Sequence, residues 1–238
     1  MNFYIRTNYG RSVGLGHISR VSSILNGLNK NSHKFLIFAD KFDKKVAYLI
    51  NNHKIKSLYS KNKKFKNQHH DARIFLSKIQ NLPKGIVIVD DYRIGFIWEK
   101  YISNFCHKVI AIDDFINRKH FVDVLINTKP SLLKIDQKKF SNLKLINKKG
   151  CKFLLGPTYA PISSKSKLRK RSTSKFNLIF YNGGTGNILI YKKIIIQILK
   201  KYNYKKKILI HLIVGLLAQN SKKVKKVFSK NKKIKIHQ

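Results

Sequence analysis

Short apolar runs alternate with amphipathic segments along almost the whole chain, and no other feature restricts its fold as much. Strand-like runs fall at Phe3–Thr7, Phe35–Ala39, Ile55–Tyr59, Ile86–Asp90, Val109–Asp113, Val122–Asn127 and Phe153–Leu155. Helix-like segments lie between the early runs, at Ile18–Leu28, Lys44–Asn51, Asp71–Gln80 and Ile97–Phe105. A parallel neighbour needs a long crossover, usually a helix, so this order predicts a parallel sheet covered by helices on both faces. The pattern occupies residues 1–162. A polar, basic stretch at 163–174 then reads as a linker. Alternation restarts with strand Asn177–Tyr181, helix Ile188–Tyr202, strand Ile208–Val214, helix Lys222–Ser229 and strand Lys233–His237. A free-standing α/β domain usually needs about 100 residues or more. The second domain, 175–238, is therefore expected to be incomplete and the chain to be C-terminally truncated.

Charge divides the functional readings. Lys and Arg number 51 against 10 acidic residues, a formal charge of +41. Such a surface attracts polyanions without specificity. The basic residues are overwhelmingly Lys, however, and accompany abundant Asn and Ile, as in a genome rich in A and T. They are spread through every segment, with no helix-turn-helix signature, zinc spacing or aromatic interleaving. No specific nucleic-acid partner is expected. Cys106 and Cys151 are too few and too isolated for a disulfide framework and fit a reducing cytoplasm. The N-terminus has no signal-peptide core. The most apolar run, Ile208–Ala218, contains His211 and falls short of the roughly 20 residues of a membrane span. A soluble, cytoplasmic monomer is expected.

Candidate chemistry gathers where strands end. Arg6, Asn8, Gly14, Gly16, His17 and Arg20 lie on a loop between the first strand and the first helix. Gly14 and Gly16 permit a tight turn and close approach to a ligand. His17 stands at the helix start, where free N–H groups attract anions and disfavour a second positive charge. That position suits a neutral imidazole, the form a general base requires. The doublets Asp90-Asp91, followed by Tyr92, and Asp113-Asp114 end two further strands. Ligands bind at that edge of parallel α/β sheets, so His17, Asp90, Tyr92 and Asp113 are expected to line one cleft. A carboxylate there would orient the imidazole or bind sugar hydroxyls. Helix capping and a Mg²⁺ site are the other readings of the doublets. Asn182-Gly-Gly-Thr-Gly-Asn187 is a second strand-to-helix loop, either a phosphate seat built on Gly183, Gly184 and Thr185 or an ordinary tight turn. Tyr159, in Leu155-Gly-Pro-Thr-Tyr-Ala160, either faces a cleft or packs beneath it. His69-His70-Asp71 reads as a solvated helix start rather than a metal cluster.

Taken in order, several motifs resemble the UDP-sugar hydrolases of pseudaminic acid biosynthesis and the related spore-coat polysaccharide proteins. They are Arg6 with Gly14-x-Gly16-His17 and Arg20, Asp90-x-Tyr92, Ile112-Asp113-Asp114, Asp123-x-Leu-Ile-Asn127, Gly156-x-x-Tyr159-Ala160 and Gly183-Gly184-Thr185. The resemblance implies an α/β, glycosyltransferase-B-like fold of two Rossmann-like parallel-sheet domains, the second incomplete. It implies inverting cleavage of the anomeric C–O bond of a UDP-linked diacetamido-trideoxy hexose, with His17 activating water and no metal or other cofactor. Substrate contacts are then assigned to Arg6, Asn8, Gly14, Gly16, Arg20, Asp90, Tyr92, Asp113 and Tyr159, and phosphate contacts to Gly183, Gly184 and Thr185. A glycosyltransferase using a UDP-sugar donor is the alternative, beside an inactive remnant or a polyanion binder. The chain differs from the family pattern at Asn8, at Pro161-Ile162-Ser163 and at Gly186. In the family, a later Ser/Gly-rich turn and an Asn-Glu helix hold much of the nucleotide. This polypeptide is therefore expected to bind UDP poorly and to turn over little.

Overall fold

The computed structural model describes residues 1–28, 32–50, 55–115, 117–129, 148–162, 176–201, 208–218 and 220–238. The expected linker at 163–174 lies outside the described residues. The chain divides into two compact units, Met1–Asn8 with His17–Ser164, and Tyr9–Gly16 with Lys165–Gln238.

The first unit alternates strands and helices. In order they are β1 (Asn2–Thr7), α1 (Gly16–Gly27), β2 (Lys34–Ala39), α2 (Lys44–Ala47), β3 (Ile55–Ser57), α3 (Gln68–Ile79), β4 (Ile86–Asp90), α4 (Phe96–Ser103), β5 (Lys108–Ile112), β6 (Val124–Asn127) and β7 (Lys152–Leu155). The strands form one sheet in the order β3-β2-β1-β4-β5-β6-β7, every pairing parallel. The direction of travel reverses between β1 and β4, and a crevice opens beyond the carboxyl ends of strands at such a point.

Side-chain alternation explains the layers. Tyr4, Val87, Val89, Val109 and Ala111 pack with Phe75 of α3 and Trp98 of α4. The intervening residues Phe3, Ile5, Ile37 and Ile88 are also buried and face the other way. That second face suits α1, whose buried Ile18, Val21 and Leu25 recur at helical spacing. Two helices depart from expectation. Asn67 caps α3 by accepting from His70 N at 2.9 Å, so the helix starts at Gln68, before Asp71. After its Asp43 cap, α2 tightens into a 3-10 turn at Tyr48–Ile50.

Two buried ionic clusters tie helices to the carboxyl edge of the sheet. In the first, Arg6 has no solvent exposure. Its Nε and Nη2 donate to both oxygens of Asp71 on α3, at 3.1 and 2.7 Å. Nη2 also reaches Asp40 at 2.7 Å, and Nη1 stands 3.6 Å from Asp91. Tyr59 OH and Trp98 Nε1 complete the shell of Asp71. Arg93 bridges Asp40 and Asp91 from above. Burial alone would raise the Asp40 and Asp91 pKa values; hydrogen bonds from Arg93 and the charges of Arg6 and Arg93 outweigh it and hold both below the ordinary carboxylate range.

In the second cluster, His120 lies between Glu99 of α4 and Asp113. Its Nδ1 is 2.8 Å from Glu99 Oε1 and its Nε2 is 2.9 Å from Asp113 Oδ2. A carboxylate only accepts, so a ring facing one on each side donates twice and is protonated. Burial opposes that charge, but the hydrogen bonds to Asp113 and Glu99 prevail and raise its pKa to about 9. Arg118 Nε reaches the same Asp113 oxygen at 3.0 Å, and its two terminal nitrogens donate to the carbonyls of Tyr92 and Ile94.

The second unit comprises β8 (Phe176–Tyr181), a 3-10 turn at Ile188–Tyr191 running into α5 (Lys192–Lys201), β9 (Ile208–Ile213), α6 (Ser221–Phe228) and β10 (Ile234–His237). Its parallel sheet has the order β10-β9-β8. Ile210 and Leu212 pack with Ile195 of α5 and with Val224 and Phe228 of α6. Among the described residues, no helix is long and apolar enough to cross a membrane.

Arg6→Met should destabilise the chain by about 3–5 kcal/mol in urea denaturation, because it leaves buried carboxylates without their counter-charge. A change below about 1 kcal/mol would show that the cluster tolerates the loss of Arg6. His120 predicts a pH dependence of the opposite sign to the carboxylates. Its raised pKa means that its contribution is complete below about pH 6.5 and is lost as pH rises through about 9. The interval corresponds to about 3 kcal/mol at most. Denaturation between pH 6 and 9.5 should therefore show a decline that His120→Gln flattens; equal slopes would remove the charged ring from the account.

Candidate functional site

β1 and β4 are neighbours, with Thr7 directly opposite Asp90 in register. The chain leaves β1, loops through Asn8–Leu15 and enters α1, which brings His17 back over the end of β4. His17 Nδ1 lies 2.6 Å from Asp90 Oδ1, and both side chains are buried. Arg20 Nη2 stands 3.1 Å from the same Nδ1, but the shorter contact is to the carboxylate, which accepts the Nδ1 proton and leaves the Nε2 lone pair as the ring's base.

Arg20, one turn along α1, grips the same carboxylate with two donors. Its Nε reaches Asp90 Oδ2 at 3.0 Å and its Nη2 reaches Oδ1 at 2.7 Å. Nη1 donates to Asp114 at 2.6 Å, and Tyr92 OH donates to that same Asp114 oxygen. The Tyr92 ring stands edge-on to His17, centroids 4.4 Å apart, and also meets Phe115. Burial and the bond to Asp114 push the Tyr92 phenol up to about 12, so it remains a donor at neutral pH. Burial would raise the Asp114 pKa, but the hydrogen bonds from Tyr92 and Arg20 lower it. The imidazole is thus flanked at Nδ1 by the Asp90 carboxylate and the Arg20 guanidinium, and along its edge by the Tyr92 ring.

The structure brings His17, Arg20, Asp90 and Tyr92 together and gives other expected site residues different work. Arg6 is sealed under the sheet edge by Asp71, Asp40 and Asp91, and no solvent reaches its guanidinium. Asp113 is also spent. Oδ1 accepts from Phe115 N at 2.9 Å, and Oδ2 accepts from His120 and Arg118. Both residues position the site from below instead of touching a ligand. Asn8 is buried immediately after β1. Gly14, at φ +89°, exchanges backbone hydrogen bonds with Gly10 at 2.7 and 3.1 Å. The loop closes on itself, and the Gly14 amide is not presented to a phosphate. Gly16 opens α1. Tyr159 sits in a 3-10 turn after β7, and three strand spacings, about 14 Å, separate β7 from β4, over whose end His17 lies. It therefore stands apart from His17. Asp71, expected at a solvated helix start, is fully buried.

Gly183, Gly184 and Thr185 form the turn after β8 in the second unit. The element that follows is a 3-10 turn whose Leu189 amide is already capped by Asn187 Oδ1 at 3.0 Å, where a helix with a free N-terminus was expected. Gly184 O accepts from Leu217 N at 2.9 Å, and a Cβ on Gly215 would sit 2.4 Å from that same carbonyl. Gly215 is therefore required by close backbone packing between two loops, whereas a Cβ on Gly184 would meet the Leu15 side chain at 2.6 Å and Gly183 adopts φ +70°.

Arg93, Arg118, His120, Glu99 and Gln68 were not expected, and of the doublet Asp113-Asp114 it is Asp114 that joins the His17 cluster. A signal existed for the acids: with only 10 against 51 basic residues, each is a candidate for an electrostatic task. The basic partners were hidden among 51 Lys and Arg.

No family model matches the chain. Over its whole length it is 25% identical, across 252 residues, to the uncharacterized protein MJ1062 of Methanocaldococcus jannaschii, of which it covers 48%. The chain thus spans about half the length of the curated relative it matches. Among solved structures, a glycosyltransferase of kitacinnamycin is similar with a TM-score of 0.55 at 10% identity, over 99% of this chain and 70% of that one. The chain has an α/β, glycosyltransferase-B-like fold built from parallel-sheet units.

Proposed function

We propose that this chain carries the catalytic half of an inverting UDP-sugar hydrolase. The observation that supports the reading is the His17–Asp90 pair at the reversal of strand order, with Nδ1 bound and Nε2 left as a base. In this scheme Nε2 takes a proton from water. The oxygen bonds to the anomeric carbon from the face opposite the nucleotide. The C–O bond to the diphosphate breaks, and its electron pair leaves with UDP. Asp90 stabilises the imidazolium that forms, as a carboxylate at the second nitrogen does. Tyr92 keeps the ring in plane for the transfer. UDP is a good leaving group without protonation, so placing water and base carries most of the task. The substrate class, a UDP-linked diacetamido-trideoxy hexose, follows from the sequence resemblance.

A glycosyltransferase reading uses the same base on a sugar hydroxyl, and the glycosyltransferase neighbour favours it. The two separate in one assay: release of UDP without any acceptor supports hydrolysis, whereas release that needs an added sugar supports transfer.

In a form of the protein that turns over, His17→Ala should lower kcat at least about 100-fold, within the range of a lost general base, while UDP affinity stays within about twofold. Asp90→Asn should also lower kcat, because an amide at Nδ1 can favour the wrong tautomer. Unchanged kcat in His17→Ala sinks the proposal; an equal loss of UDP affinity makes His17 a binding residue.

A further inference from the structure

The second unit is charged unlike the first. All 10 acidic residues lie in the first unit, beside 29 Lys and Arg, whereas the second unit holds 22 Lys and Arg and no acid. A genome rich in A and T explains abundant lysine, but not the confinement of every acid to one of two units. Such asymmetry marks a surface for a polyanion or for an anionic membrane.

The helices decide between the two. α5 and α6 cover the same face of the β10-β9-β8 sheet, because Ile195 of α5 and Val224 and Phe228 of α6 all pack with Ile210 and Leu212. Their outer sides therefore belong to one surface. On α6, Lys222, Lys223 and Lys226 are exposed, and helical spacing turns them away from the buried Val224 and Phe228. On α5, Lys193 is exposed beside Ile194, itself 48% exposed, and Ile190, one turn earlier, is 59% exposed. A phosphodiester polymer would leave these isoleucines in water. Neither helix contains Arg, and the one aromatic ring they hold, Phe228, is buried, so neither reads or stacks a base.

We propose that the outer face of α5 and α6 docks the protein on a membrane surface rich in anionic lipid. An isoleucine pair among lysines matches the boundary of a bilayer, where apolar side chains enter the acyl edge and ammonium groups meet acidic headgroups. With 10 residues, α5 is too short to span the bilayer, so it lies in the plane of the surface. The second unit has no carboxylate to repel those headgroups or to neutralise its own lysines. The docking goes beyond the hydrolase reading and does not rest on it, since no residue of the His17 cluster takes part and the test reads binding alone.

The test is flotation of the chain with vesicles of equimolar phosphatidylglycerol and phosphatidylcholine, with vesicles of phosphatidylcholine alone, and with duplex DNA as a competitor. The chain should float with the acidic vesicles and not with the neutral ones. Ile190→Ser combined with Ile194→Ser leaves the charge unchanged and should weaken binding at least about tenfold. Lys222→Gln, Lys223→Gln and Lys226→Gln together should weaken it by about fivefold per lysine. The same neutralisation at Lys61, Lys63 and Lys64, exposed in the first unit, should change it less than about threefold. All the substituted side chains are exposed, and circular dichroism checks that the variants fold. Equal binding by the folded double-serine variant and the parent chain, or equal losses from the two lysine triples, would reduce the effect to adsorption by net charge and overturn the proposal. Failure to float with acidic vesicles, or tighter binding to duplex DNA than to those vesicles, would overturn it as well.

Discussion

A guanidinium buried without water must be answered by carboxylates from several directions, and Arg6 imposes that condition on the first unit. Asp71 comes from α3, Asp40 from the end of β2 and Asp91 from the end of β4. Those elements cannot drift from β1 without stranding charge in a low-dielectric interior. The constraint propagates. Asp91 is adjacent to Asp90, so fixing the first places the second under His17. Arg93 repeats the bridge to Asp40 and Asp91 and anchors the chain just past Tyr92. The Glu99–His120–Asp113 cluster holds the other side of the same loop through Arg118. Ring and base are positioned by ion pairs that anchor both sides of this loop.

Much of this was legible in the sequence because period and punctuation carry it. Strand runs closing on Asp90 and Asn127 ended where expected, since alternation and burial agree there. The doublet Asp90-Asp91 pointed to the sheet edge, and a carboxylate orienting His17 was expected. Direction was harder to read. Asp90 and Asp91 are one residue apart, so they leave the strand end on opposite sides; only three-dimensional packing shows that one serves His17 and the other Arg6 and Arg93. Arg6 belongs to a loop-flanking motif, which suggested ligand contact, but it shares the parity of Tyr4 and so faces α3. Asp113 looked available because the sequence does not reveal that His120, seven residues later, turns back onto it.

Sheet order was also beyond reach of the linear pattern. Tyr159 follows a strand of the same sheet, and nothing in its neighbourhood says that β7 is the outermost strand, far from β1. Glycine-rich loops were misleading for a related reason. A glycine is needed wherever backbone approaches something closely, and that something can be another stretch of the same chain. At Gly215 it is the Gly183–Gly184 backbone, while a Cβ on Gly14 would meet nothing and the glycine there is called for by its φ of +89°.

These assignments limit how a nucleotide diphosphate would be held. Arg6, Arg93 and Arg118 are spent on carboxylates and carbonyls, and Arg20 serves Asp90 and Asp114 together. The ionic set around His17, Arg20 with Asp90 and Asp114, sums to negative rather than positive charge when the ring is neutral. Such a cluster suits acceptance of a proton, since the imidazolium that forms meets carboxylate, and it is poorly suited to gripping phosphate. The formal charge of +41 is therefore not concentrated where the chemistry is proposed. Lysines dispersed over the surface raise the local concentration of any anionic ligand. A phosphate grip and a proton-transfer centre make opposite electrostatic demands, and the His17 cluster meets the second.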